Sequence, residues 1–179
     1  MINKFANWAI PKLATRCERR GRVFRIVGTS ADPDDLLLIR YFLFRSKLFS
    51  IYIHRFMRSD RDDPHDHPFD FVGYVVSKGY LERRYDPCTT TFGESLFCPW
   101  AEYREPGTWA FRRAETVHAV FLDRQYKPDE YLEAPLTVIF RGPERREWGF
   151  WTQGDSGGGW KKWIKWTTYL DVPESKERE

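Results

Sequence analysis

The stretch PHDHPFDFVGYVVSKGYLERRY, residues 64–85, carries the reading that decides the fold. Within it, Phe69–Val76 and Tyr80–Tyr85 are short runs rich in β-branched and aromatic residues, separated by the turn signal Lys78-Gly79. Both are shorter than the ten or so residues a globular helix needs, so each predicts a strand. The same pattern recurs at Leu36–Phe44, Phe49–Phe56, Trp109–Arg112, His118–Leu122 and Leu136–Arg141. Turn signals at Asp32-Pro33, Asp63-Pro64, Asp86-Pro87, Pro106-Gly107, Lys127-Pro128 and Arg141-Gly142-Pro143 punctuate the runs. No helical pattern separates them, which excludes βαβ units and predicts an all-β fold, an antiparallel sandwich or barrel.

Two segments depart from this pattern. Residues 1–30 are basic and carry Pro11; they predict an irregular N-terminal arm packed on the barrel through Phe5, Trp8 and Ile10, with residues 31–179 forming the barrel as a single domain. Near the other end, Trp160, Trp163, Ile164 and Thr167 fall at helical spacing and predict a short closing helix within Gly157–Leu170, with a strand as the alternative.

Composition sets outer limits. With 179 residues, 41% of them hydrophobic, and 8 Trp, 9 Tyr and 14 Phe, the chain has apolar area for one real core. No apolar run approaches the ~20 residues of a membrane helix, and the first residues lack a secretory h-region, so a cytoplasmic protein is expected. The three cysteines, Cys17, Cys88 and Cys98, are expected to be reduced thiols. A net charge of +3, from 29 basic and 26 acidic residues, is a mixed surface that disfavours nucleic acid as partner. A homodimer is left open.

The four histidines, His54, His65, His67 and His118, all lie in or beside expected strands. His65 and His67 are two apart, so strand periodicity sends both imidazoles to one face. His118 opens a later strand that an antiparallel meander can bring alongside them. Three neutral imidazoles suit Zn, Fe, Ni, Cu or Mn and leave coordination positions open.

The strings PHDHPFDFVGYVVSKGYLE and GTWAFRRAETVHAV resemble the two motifs of the cupin superfamily, and residues 50–170 resemble cupin-like proteins of bacteria and their phages. The resemblance implies a double-stranded β-helix of the jelly-roll type, with His65, His67 and His118 holding one divalent metal, Fe(II) preferred and Zn, Mn or Ni as alternatives. It implies a metal-dependent enzyme of dioxygenase or isomerase type acting on a small molecule. The usual cupin glutamate ligand has no counterpart, since Phe71 and Val72 occupy its place, so His54 or Asp70 is the candidate fourth ligand.

Three further residues are candidates for catalysis. Glu82 and Tyr80 share one strand face, and an inward carboxylate there would be costly unless paired. Arg141, with Arg145 and Arg146 close behind, offers forked donors for a carboxylate or phosphate, against the alternative of surface pairing with Glu144 and Glu147. The acidic loop SDRDDPHD lacks the spacing of a calcium loop, and Asp60, Asp62 and Asp63 read as a solvated turn. The rival to the enzyme reading is a non-catalytic module that binds a small ligand or nucleic acid, the latter through the Trp- and Lys-rich end.

Overall fold

The computed structural model describes residues 2–27, 36–60, 64–89, 95–153 and 160–169, with side chains described except at 2–3, 27, 87–89, 95–97, 153, 160–162 and 169. Helix α1 (Ile2–Arg19) leads into β1 (Val23–Val27), β2 (Leu36–Arg45), β3 (Ser50–Phe56), β4 (Phe71–Ser77), β5 (Tyr80–Thr89) and β6 (Ser95–Arg104). There follow β7 (Trp109–Arg112), β8 (His118–Phe121), a 3-10 turn at Pro128–Glu133, β9 (Leu136–Arg141), β10 (Gly149–Gln153), β11 (Trp160–Lys165) and a short α2 (Trp166–Tyr169). Among the described residues, no helix is long and apolar enough to cross a membrane.

The all-β expectation holds, and every strand pairing is antiparallel. One sheet runs β1-β2-β3-β9-β4-β7 and another β6-β5-β8. His65 makes single bridges to His118 of β8 and Phe150 of β10, so it joins the second sheet to the β10–β11 pair. From β3 onward the chain alternates between sheets except at the β5–β6 hairpin: β3, β4, β7 and β9 lie in the first, and the His65 segment, β5, β6 and β8 in the second. The orders β3-β9-β4-β7 and β6-β5-β8-His65 are those of a jelly roll.

Period-2 alternation gives the first sheet two unlike faces. Tyr41, Ile53, Val138 and Tyr74 are aligned across it by register and are buried on its outer side. Helix α1 covers this row with Ala6, Ile10, Ala14 and Cys17, which recur at helical spacing. The inner side carries Arg40, Tyr52, His54, Thr137, Arg141 and Phe71, and faces the second sheet. The main apolar core thus lies outside the sandwich, under the helix, and the space between the sheets is polar.

Four expectations need correction. The N-terminal segment is no irregular arm: Pro11 sits inside α1, and the carbonyl that its missing amide would have met, at Asn7, is on an exposed residue where water can replace the bond. Ile10 packs against the core, but Phe5 and Trp8 are exposed. The closing segment is mainly strand, because Trp163 and Ile164 pair with Trp151 and Phe150 of β10; only the four residues of α2 are helical, and residues 157–159 and 170 lie outside those described. Asp60 is half-buried and hydrogen-bonded to Val120 N rather than solvated, while Asp62 and Asp63 lie outside the described residues. Cys17 is a free, buried thiol as expected, but Cys98 is disulfide-bonded. Strands β1, β6 and β10 were also not anticipated.

The β10–β11 pair is tight at one point. A β-carbon on Gly149 would overlap the backbone carbonyl of Ile164, which cannot swing aside as a flexible side chain would. We expect Gly149→Ala to lower stability by about 2 kcal/mol or more, measured by denaturant unfolding; wild-type stability would show that β11 does not approach this closely.

Candidate metal centre

The site begins with backbone pairing. His65 N donates to the His118 carbonyl at 2.9 Å and His118 N to the His65 carbonyl at 3.0 Å, while His67 N donates to the Ala114 carbonyl at 2.9 Å. On the other side Asp66 N donates to the Gly149 carbonyl at 3.1 Å. The His-Asp-His segment therefore behaves as a strand one residue wide in its bridging, and its side chains alternate accordingly. His65 and His67 turn toward His118, and Asp66 turns away into the protein.

Asp66 is the anchor of this segment. Its buried carboxylate accepts from Gly149 N at 2.7 Å, from Trp163 Nε1 at 3.1 Å and from Arg146 Nη2 at 3.0 Å. Acceptor capacity for three donors on separate elements fixes the peptide that presents both imidazoles.

The three imidazoles lie with ring centroids 5.0 Å apart in each pair. One ligating atom from each falls within 4.8 Å of the others. His67 Nε2 and His118 Nε2 are 2.8 Å apart. Two nitrogens bound about 2.1 Å from one ion at right angles would sit about 3 Å apart, so this spacing fits adjacent ligands of one ion. His65 Nδ1 is buried without a hydrogen-bond partner, 3.8 Å from Asp60 Oδ2. Burial, with His118 beside them, holds His67 well below its ordinary value and His65 down to about 3. Both are thus neutral at physiological pH, the state in which a ring nitrogen has a lone pair to give. The donor set fits a divalent transition metal.

Glu82 sits behind His118. Its Oε1 lies 2.7 Å from His118 Nδ1 and accepts from Arg112 Nε at 2.8 Å, while Oε2 accepts from Arg112 Nη2. Burial alone would raise this carboxyl, but the hydrogen bonds from His118 and Arg112 overrule it and hold it well below the carboxylate range. An ionised carboxylate only accepts, so His118 carries its proton on Nδ1 and turns the Nε2 lone pair toward His67. Glu82 is a positioning residue here.

The remaining candidates are placed as follows. His54 is on the inner face, but its Nε2 accepts from Arg40 Nε at 2.9 Å and so is already used. Asp70 is half exposed, accepts from Ala114 N at 2.7 Å and pairs with Arg145 at 2.8 Å. Neither belongs to the imidazole group found among the described residues. Tyr80 packs on Phe56, and burial pushes its hydroxyl up to about 12, so it is protonated throughout the physiological range. Arg141 is buried on the inner face and donates to Tyr52 Oη at 2.9 Å. Sequence reasoning missed Asp60, whose carboxylate accepts from Val120 N at 2.7 Å and is pushed up to about 6 by burial, and it missed Arg40. Trp148 and Phe71, in ring contact with His67, add an apolar wall.

No family model matches the chain, and no curated protein is similar to it. Solved structures overlap it in part. An Fe(II) HppE structure is similar at 11% identity and a TM-score of 0.41, over 65% of this chain and 56% of that one. KdgF from Halomonas sp. is similar at 20% identity and a TM-score of 0.39, over 65% of this chain and 86% of that one. A cupin domain from Bordetella pertussis is similar at 15% identity and a TM-score of 0.39, over 59% of this chain and 93% of that one. The overlap spans little more than half the length of the HppE structures. Likeness at this level assigns no chemistry.

Glu82→Gln keeps the side-chain volume but removes the charge that answers Arg112 and orients His118. We expect a loss of about 3 kcal/mol in denaturant unfolding and metal affinity weakened about 10- to 100-fold. Unaltered metal affinity in a folded variant would show that Glu82 does not set the His118 tautomer.

Proposed function

We propose that the protein is a cupin-like, metal-dependent enzyme acting on a small molecule, with His65, His67 and His118 as ligands of one divalent transition metal, Fe(II) preferred. The observation that supports this most directly is the approach of His67 Nε2 to His118 Nε2 while Glu82 holds the opposite nitrogen of His118. A buried pair of ring nitrogens can face each other only by sharing a proton or a cation, and a third unpartnered imidazole beside them favours the cation. Such an ion, when bound, supplies a Lewis acid with open coordination positions. The chain's own contribution is orientation. Asp66 fixes the His65 and His67 backbone, Glu82 fixes the His118 ring, and Trp148 and Phe71 limit water at the site. Dioxygenase and isomerase chemistry both suit three neutral ligands.

Metal analysis tests the reading. The purified chain, loaded with Fe(II) or Zn under anaerobic conditions, is expected to hold about one ion, and His65→Ala with His118→Ala to hold none while keeping its far-UV circular dichroism. Retention of the ion by that folded double variant would place the metal elsewhere.

A further inference from the structure

Buried or half-buried arginines line the space between the sheets, and they are not treated alike. Arg112 is answered by both oxygens of Glu82, and Arg104 Nη1 donates to Glu102 at 3.0 Å. Among the described residues Arg40 has no carboxylate partner and no acceptor for its terminal nitrogens, while its Nε donates to the neutral His54 ring. Arg141 donates through Nε to Tyr52 Oη and through Nη1 to Glu144, an exposed side chain at the rim. Both guanidiniums lie against the same ring, their central carbons 5.1 Å and 5.7 Å from the Tyr52 centroid.

Strand register explains the placement. Arg40 stands opposite His54, Tyr52 opposite Phe42 and Ile139, and Arg141 two residues beyond Ile139, all on the inner face. The imidazole cluster adjoins them. Phe69 stacks on His67 at 6.0 Å, and Arg141 lies over the Phe69 ring at 4.8 Å. Burial, with Arg141 and Arg45 repelling it and Tyr52 partly compensating, lowers Arg40 to about 10, so it remains a cation at neutral pH.

Two like charges confined in a partly desolvated space, with a single rim carboxylate between them, oppose folding unless another anion answers them. The Tyr52 hydroxyl accepts from Arg141, which leaves its own hydrogen to donate. We propose that Arg40, Arg141 and Tyr52 form a subsite for an oxyanion, a carboxylate or phosphate group, carried by the molecule that approaches the three histidines. That this oxyanion belongs to a substrate rests on the metal-enzyme reading above; that it binds does not. Forked guanidinium donors and a hydroxyl suit planar or tetrahedral oxygen sets and give no site to a cation or a purely apolar ligand.

The test titrates inorganic phosphate and acetate separately into metal-free protein by calorimetry and follows the melting temperature with each. Saturable binding of at least one is expected, with a rise in melting temperature, and tighter phosphate or tighter acetate distinguishes the two sources. Arg40→Met and Arg141→Met should each weaken binding about tenfold or more. Without anion, Arg40→Met should melt higher than wild type, since it deletes a cation with no carboxylate partner, and the bound anion should shift it less than it shifts wild type. Should Arg141→Met not fold, Arg141→Lys decides, because a point charge loses the fork and should still bind several-fold more weakly. His65→Ala with His118→Ala should lose metal and keep anion binding; retention of metal by that variant would count against the metal-enzyme reading and leave the subsite standing. Absence of binding for both anions in wild type, or wild-type affinity in Arg40→Met and Arg141→Met, overturns the subsite whatever the metal result.

Discussion

One buried carboxylate holds the two halves of this protein in register. Glu82, on the second sheet, accepts from Arg112 on the first and from His118 on its own. Buried ion pairs are poor evidence of net stability, because desolvation cancels much of their attraction, but breaking one leaves a charge stranded. Here the stranded charge would be a guanidinium in the middle of a sandwich whose apolar core lies elsewhere, under α1. The same carboxylate dictates which nitrogen of His118 bears the proton. Sheet docking and the orientation of the His118 ring therefore share a single side chain.

The strands were legible because their signal is local. Leu36–Phe44, Trp109–Arg112 and Leu136–Arg141 alternate or run apolar between turn residues, and each forms the expected strand within a residue or two. Strand β1 was hidden within a basic segment, and β11 within a helical spacing of tryptophans that pairing with Phe150 and Trp151 overrides. Pro11 misled because its cost depends on whether the lost bond faces water, which the sequence does not state.

The site divides the same way. His65 and His67 were legible together from their spacing, and His118 from its place at the head of a strand. Their supports were not. Glu82 could have faced either way until the second sheet docked, and strand alternation turns Asp66 away from the two histidines with no hint that Gly149, Arg146 and Trp163 would meet it there. Arg40 gave no signal, since an arginine within an apolar strand reads as an outward residue until the opposite sheet shows that its side faces in. In a jelly roll, the inner and outer faces are assigned by contacts between distant segments, which no local period reports.

Those distances along the chain also bear on the order in which the protein can assemble. His67 meets His118 across 51 residues, and Asp66 meets Trp163 across 97. Closing such loops is slow compared with forming a hairpin, and contacts of this range form late in folding. A chain emerging from the ribosome can build β2 and β3 early, yet it cannot brace the His-Asp-His segment until Trp163 has been made and has docked. The three imidazoles are therefore held together only by the finished fold, near the end of folding.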